Sequence, residues 1–298
     1  MTTLDFIRDI HICQHKNGYR FSVDALLVDA FVTMPRAKCI ADLCAGSGII
    51  GLLLAKRYTS AHITLVELQK ALVKLAEKNV ALNSLSGQVS VVHADIREVA
   101  RERQAENDEV QTWEGAESSA LTQEARSEET TPHAGTAANE SGALDGKTLA
   151  KTWWSSIMAN PCFDLVVANP PFRTLKSGKL SNGDEKAIAR HEIALSLNDL
   201  VCAATRMLRH HGRFCFIHLP ERLSDICIAL RHNGCEAKRM RFVHSSLGTE
   251  AKMVLVEAVK GGKPGLEIEK PLFLYDDKGE RTEELASFYA RDYQPARF

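Results

Sequence analysis

The chain lacks any long apolar run and any segment that resembles a secretory signal. No hydrophobic stretch approaches the roughly 18–20 residues that a membrane-spanning helix needs, so no membrane association is expected. The first nine residues contain no basic segment followed by an apolar core. With 45% hydrophobic and 25% charged residues, the composition is that of an ordinary globular protein, for which we expect a cytoplasmic location.

The eight cysteines include no Cys-x-x-Cys pair, which argues against a zinc site and against a disulfide framework. Several of them, such as Cys39 and Cys215, lie within apolar runs. We therefore expect reduced thiols that are mostly buried, and no metal site.

The net charge of −1 gives no sign of a polyanion as partner, but it conceals an asymmetry. Residues 101–150 contain eleven Asp or Glu and four Lys or Arg, a net of −7, which leaves +6 for the remainder. Because this segment is poor in apolar residues, we interpret residues 101–152 as a flexible surface insertion. The alternative is an acidic arm that competes with a polyanion for a basic surface.

Outside the insertion, apolar strands alternate with amphipathic helices, which predicts a mostly parallel sheet with helices on both faces. The last two predicted strands, at about 235–242 and 251–258, form a hairpin at one edge. The segment before residue 37 is separate from this α/β domain, which we place at 37–260, and the tail 261–298 has no assigned chemistry. The predicted strands are Cys39–Leu43, His62–Glu67, Gln88–His93, Phe163–Ala168 and Arg213–Leu219, and the predicted helices include Ile49–Arg57, Lys70–Asn83, Leu200–Leu208 and Glu221–His232.

A glycine-rich turn, Asp42-Leu-Cys-Ala-Gly46-Ser-Gly48-Ile-Ile-Gly51, follows the first of these strands. Glycines allow a tight turn, and the helix behind them presents free N–H groups to a ligand. Gly46, Gly48 and Gly51 match the dinucleotide-binding pattern, and Glu67 stands where a ribose-binding acid is expected. A dinucleotide-dependent oxidoreductase is therefore one interpretation.

Two acids favour a different cofactor. Asp42 places a carboxylate before the glycine turn, where it would face a pyrophosphate unfavourably but would suit a cationic amine. Asp95 follows the third strand, where a carboxylate can accept a hydrogen bond from an adenine amino group with Ile96 packing nearby. Asp95 is also a typical helix N-cap residue, so both interpretations of it stay open.

The fourth strand ends in Asn169-Pro170-Pro171-Phe172. The Asn169 side chain and the Pro170 carbonyl offer two acceptors, and the prolines fix the backbone and remove donors. An exocyclic NH2 group can donate one hydrogen to each acceptor, while Phe172 offers an aromatic face for stacking. The alternative is a stiff turn after a buried strand.

Together these motifs resemble the Rossmann-like, class I, S-adenosylmethionine-dependent methyltransferases. The resemblance implies an α/β fold with a seven-stranded, mostly parallel sheet, helices on both faces and an antiparallel edge strand. It also implies direct in-line transfer to a planar nitrogen, with Asn169, Pro170, Pro171 and Phe172 as the catalytic loop. The implied cofactor-binding residues are Asp42, Cys44, Gly46, Gly48, Glu67, Leu68, Asp95, Ile96 and Asn169.

Longer segments are similar to the bacterial tRNA(Val) adenine-37 N6-methyltransferases. They are Asn17-Gly-Tyr19-Arg20-Phe21-Ser-Val-Asp24-Ala-Leu-Leu27, the glycine turn, Val66-Glu-Leu-Gln69, and Arg213-Phe-Cys-Phe-Ile-His-Leu-Pro-Glu-Arg-Leu223. The resemblance implies that residues 1–36 cover the cofactor, and that tRNA is the partner. The oligomeric state is left open, with a monomer favoured.

Phe172 keeps the identity of the target base open. Tyrosine is more usual at this position in adenine-N6 enzymes, and phenylalanine here also resembles ribosomal guanine-N2 enzymes. Protein glutamine methylation is a further alternative. Candidate phosphate contacts form a basic rim: Arg173, Lys176, Lys179, Lys186, Arg190, Arg206, Arg209, Arg213, Lys238, Arg239 and Arg241.

Overall fold

A computed structural model describes residues 2–15, 23–99, 146–171 and 195–290, together with residue 293. Most of the acidic segment lies outside these residues, as do Phe172, Tyr19, Arg20, Phe21 and the basic residues between 173 and 190. In the ranges that are described, no helix is long and apolar enough to cross a membrane.

Eleven strands and seven α-helices are described. The strands are β1 (Thr2–Ile7), β2 (Ile10–His15), β3 (Cys39–Leu43), β4 (His62–Glu67), β5 (Val89–His93), β6 (Phe163–Ala168), β7 (Leu208–His218), β8 (Cys235–His244), β9 (Ala251–Lys260), β10 (Glu267–Ile268) and β11 (Leu272–Phe273). The helices are α1 (Val23–Phe31), α2 (Ile49–Arg57), α3 (Lys70–Leu82), α4 (Gly146–Ala159), α5 (Leu197–Met207), α6 (Leu223–His232) and α7 (Glu283–Ser287), with a 3-10 turn at Pro220–Arg222.

The central sheet has the long strands in the order β5-β4-β3-β6-β7-β9-β8, with the two-residue strands β10 and β11 both paired to β8. Strands β3 to β7 are mutually parallel, whereas β9 is antiparallel to both of its neighbours. The predicted class of fold is confirmed. The antiparallel strand β9 is not at the edge of the sheet. It lies between β7 and β8, because it returns along β8 to form the hairpin.

Two apolar cores cover the two faces of the sheet. Successive residues of β6 alternate between them, so Leu165 and Val167 join one core while Val166 and Ala168 join the other. All six residues of β6 are buried, as expected for a strand covered by helices on both sides. Helices α1, α2 and α3 contribute to the first core, and α4, α5 and α6 contribute to the second.

Both chain ends pack into the first core. Ile7, Ile10 and Ile12 of the β1–β2 hairpin are buried there, together with Leu285 and Phe288 near the C-terminus. At the hairpin turn, Arg8 pairs with the fully buried Asp29 at 2.7 Å, and the carboxylate also faces Arg57 at 3.4 Å. The described residues before position 37 and after position 260 thus pack with the α/β domain.

Candidate active site

The carboxyl ends of β3, β4, β5 and β6 meet at one edge of the sheet and carry the predicted site residues. In register, Leu43 is paired with both Val66 and Ala168, and Glu67 is paired with His93. Because these strands are parallel and adjacent, Asp42, Glu67 and Asn169 are brought to the same edge. In open α/β sheets this edge is where ligands bind.

The turn after β3 depends on left-handed backbone conformations. Gly46 and Gly48 have φ values of 57° and 88°, and Cys44 has φ 57° although it carries a side chain. Such a conformation costs about 1 kcal/mol for a residue with a Cβ atom, and strained residues cluster at functional sites. The backbone of this turn therefore adopts conformations that are uncommon in an ordinary connecting loop.

Gly51 is required by the packing of α2 on the sheet. A Cβ atom at this position would lie 2.1 Å from Leu65 Cδ2 and 3.3 Å from Ile63 Cγ2. The third glycine of the motif thus brings the helix close to β4, which is the packing role expected of that position.

Asp42 is buried beneath the turn and only half satisfied. Its Oδ2 accepts a hydrogen bond from the Gly51 N–H at 2.9 Å, whereas Oδ1 is buried with no hydrogen-bond partner among the described residues. Burial, together with the nearby carboxylate of Glu67, raises the pKa of Asp42 to about 7, although the Gly51 bond opposes the shift. A buried carboxylate with an unsatisfied oxygen suits a cationic ligand group.

Glu67 connects the ends of β3 and β4. Oε2 accepts from the Gly46 N–H at 2.9 Å, and Oε1 accepts from the Gln69 N–H at 2.8 Å. Burial raises the pKa of Glu67, and these backbone donors counteract the rise. Each oxygen keeps a second lone pair, so the side chain can hold the turn and still accept hydrogen bonds from ribose hydroxyls.

Cys44 and Leu68 are half-buried beside these two acids. Burial and the charges of Glu67, Asp42 and Asp95 raise the pKa of the Cys44 thiol well above its ordinary value. This shift favours the protonated thiol, and the thiolate is the nucleophilic form of cysteine. The Leu68 carbonyl lies 2.9 Å from the His93 ring, a contact that ties β4 to β5.

Asp95 begins a helical turn at residues 97–99 and is paired with a cation. Its Oδ1 accepts from the Arg97 N–H at 3.0 Å, and its carboxylate binds the Arg97 guanidinium at 2.6 Å. The capping role considered for Asp95 is therefore present, and an adenine amino group would share the carboxylate with Arg97. Ile96 is buried in the second core.

The predicted catalytic loop, Asn169–Phe172, follows β6 in the chain and is called the target loop below. Asn169 is half-buried, Pro170 is buried and Pro171 is exposed. Among the described residues, the Asn169 side chain makes no hydrogen bond. Phe172 lies outside the described residues.

Two members of the predicted basic rim lie away from Asn169. Arg209 binds Asp164 at 2.7 Å, and Asp164 stands at the beginning of β6, at the opposite end of that strand from Asn169. Arg213 is paired with Leu165 of β6 near the same end and binds Glu257 at 3.0 Å. Arg239 and Arg241 also form ion pairs, with Glu269 and Glu284 respectively. The contacts of the basic rim with phosphates stay a prediction.

The eight cysteines are free thiols. Cys13, Cys202, Cys215 and Cys235 are buried, whereas Cys162 is exposed. Within the described ranges, no three His, Cys, Asp or Glu side chains converge as metal ligands.

Comparison with known proteins supplies the class of enzyme. The model of the methyltransferase small domain matches residues 22–107. The chain is 24% identical over 260 residues to the tRNA1(Val) (adenine(37)-N6)-methyltransferase of Porphyromonas gingivalis, covering 86% of this chain and 80% of the relative. A relative of the same name from Haemophilus influenzae is 24% identical over 277 residues, covering 93% and 92% of the two chains.

The chain has the fold of a class I methyltransferase. A predicted O-methyltransferase from Agrobacterium tumefaciens shares this fold, with a TM-score of 0.58, 18% identity and coverage of 92% and 100% of the two chains. The prediction of S-adenosylmethionine as cofactor is confirmed with the class.

Sequence reasoning missed Asn79, which contacts the glycine turn, and Asn83, which lies outside the site. Asn79 on α3 is fully buried, and Asn83 at the C-cap of α3 is nearly so. Their spacing of four residues on one face of a predicted helix was the available signal, because buried asparagines must find hydrogen-bond partners.

Proposed function

We propose that this methyltransferase acts on tRNA and methylates N6 of an adenine, at position 37 of a valine tRNA, in the cytoplasm. The observation that carries the proposal is the position of Asn169. Its half-buried amide, free of hydrogen bonds to the described residues, directly follows a strand that lies beside the glycine turn. The names of the curated relatives support the choice of tRNA and adenine.

The residues at the strand ends fit the cofactor. Asp42 would hold its cationic amine, Glu67 its ribose hydroxyls, and Asp95 with Ile96 its adenine, while Gly46 and Gly48 allow close backbone approach. When bound, S-adenosylmethionine supplies a methyl group on a sulfonium, which is already activated for transfer.

The chain itself would position the amine. In the proposal, the Asn169 Oδ1 and the Pro170 carbonyl each accept one hydrogen of the adenine amino group, which directs its nitrogen lone pair away from the ring plane. The prolines fix these acceptors, so little reorganisation is needed during transfer. Phe172 stacks on the base, which must be unpaired or flipped, at a cost of a few kcal/mol or less within a loop.

A transfer assay tests the proposal. Unmodified valine tRNA is incubated with methyl-labelled S-adenosylmethionine, and label in the RNA is expected for the wild type. Asn169→Ala should abolish this transfer, while its cofactor affinity, measured by calorimetry, stays within about tenfold, or about 1.4 kcal/mol.

Asn160→Ala is the matched control, because Asn160 is exposed just before β6 and lies at the other end of that strand from the target loop. It should transfer label at the wild-type rate. Full turnover by Asn169→Ala would remove Asn169 from the mechanism.

A further inference from the structure

The β1–β2 hairpin is attached to α3 by two asparagine side chains, which form the backbone hydrogen bonds that a neighbouring strand would form. Asn83 Oδ1 accepts from the His11 N–H at 2.9 Å, and Asn83 Nδ2 donates to the His11 carbonyl at 2.7 Å. One helical turn earlier, Asn79 Oδ1 accepts from the Cys13 N–H at 2.7 Å, and Asn79 Nδ2 donates to the Cys13 carbonyl at 3.0 Å.

The spacings of strand and helix explain this match. Two residues of a strand advance by about 6.8 Å, and four residues of an α-helix advance by about 6 Å. In an antiparallel pair, alternate residues direct their backbone groups away from the partner strand. His11 and Cys13 are such alternate residues of β2, so two asparagines four residues apart can satisfy both.

Asn79 makes one contact that Asn83 does not. Its Nδ2 also donates to the Ser47 carbonyl at 2.9 Å, and Ser47 lies between the two left-handed glycines of the turn. The side chain is fully buried, and its two donors and its acceptor are all used. Cys13 adds an apolar contact, since its side chain clusters with Leu72 and Leu75 of α3.

We propose that Asn79 is a positioning residue for the cofactor turn, through which the docked hairpin fixes the orientation of the Ser47 peptide. The peptide between Ser47 and Gly48 is held on both sides, since its N–H donates to the Ala45 carbonyl at 2.8 Å and its carbonyl accepts from Asn79. The Ala45 bond lies within the turn, whereas the Asn79 bond makes the orientation of this peptide depend on β2. The inference rests on the proposed use of the turn for S-adenosylmethionine.

Two alanine variants separate the cofactor role from a purely structural one. Asn79→Ala and Asn83→Ala each remove the contacts with β2, and both should lower the melting temperature. Only Asn79→Ala also releases Ser47, so it should weaken S-adenosylmethionine binding about tenfold by calorimetry, or about 1.4 kcal/mol, while Asn83→Ala stays within about twofold. The loss should appear in the KM for cofactor and not in the KM for RNA.

Asn79→Asp provides a second test if the alanine variant does not fold. It keeps the size and the acceptor for the Cys13 N–H but removes the donors to the Ser47 and Cys13 carbonyls, and the same selective loss is expected. Equal cofactor affinity of the Asn79 and Asn83 variants would overturn the inference and leave the proposed function intact. A wild-type protein that does not bind S-adenosylmethionine would instead overturn the proposed function.

Discussion

At the scale of single residues, Asp42 is the buried carboxyl group of the proposed cofactor site whose protonation is most sensitive to a bound cation. It is 1% exposed, and one of its oxygens is buried without a hydrogen-bond partner among the described residues. Burial of this kind disfavours the charged form of a carboxylate. The site therefore has a group that titrates near neutral pH and that a cation would ionise.

The pH dependence of binding and stability should follow from this group. The folded-state pKa of about 7 lies above the ordinary value of 3.8, so the protonated form stabilises the fold, and this contribution is lost as the pH rises through about 7. A bound cationic group favours the carboxylate instead. Cofactor affinity should rise with pH up to about 7, where binding releases a proton, and level off above it.

Calorimetry in buffers of different ionisation enthalpy measures that proton. Asp42→Asn should show a weaker pH dependence of both affinity and stability, with the remaining slope due to Glu67, whose pKa is also raised by burial. Identical pH profiles of the variant and the wild type would contradict the assignment.

Residue types and spacing predicted where Asp42, Glu67 and the glycine turn lie, because each stands at the end of an apolar strand, while their roles toward the cofactor stay predictions. They could not predict that Arg97 forms an ion pair with Asp95 or that Glu67 accepts a hydrogen bond from the Gly46 N–H. Such contacts depend on side-chain directions that only the folded turn defines. The roles of the four residues in the target loop stay predictions.

At the scale of elements, the fit of α2 against β4 determines where the turn lies. Gly51→Ala should destabilise the protein by about 1–3 kcal/mol, because its Cβ would overlap Leu65 and force the helix away from the sheet. Chemical denaturation measures this loss, and a weaker cofactor affinity should accompany it.

Gly87→Ala is the control, since a Cβ at Gly87 would meet no atom within 4 Å. Its free energy of unfolding should change by less than about 0.5 kcal/mol. Equal effects of the two substitutions would show that Gly51 has no special packing role.

Long apolar strands were the elements that the sequence predicted best. The β1–β2 hairpin was missed, because the apolar residues Leu4 and Phe6 of β1 are exposed and give no pattern of a buried strand. Helix α4 begins at Gly146, inside the segment interpreted as a flexible insertion, and continues beyond it to Ala159. Strand β7 begins five residues early, because an irregular pairing precedes Arg213.

At the scale of the whole molecule, a parallel sheet with two cores presents the cofactor turn and the target loop at one edge. The N-terminal hairpin and the C-terminal helix α7 both join the first core, so they pack on the same face of the sheet. Sequence patterns predicted the sheet but not this docking, because the spacing of Asn79 and Asn83 does not identify the strand that they bind.

The identity of the methylated nucleoside tests the central claim most directly. Unmodified valine tRNA is treated with the wild-type protein and S-adenosylmethionine, digested to nucleosides and analysed by mass spectrometry. The account predicts N6-methyladenosine from the anticodon-loop adenine. N2-methylguanosine, or methyl label found only in protein, would contradict it.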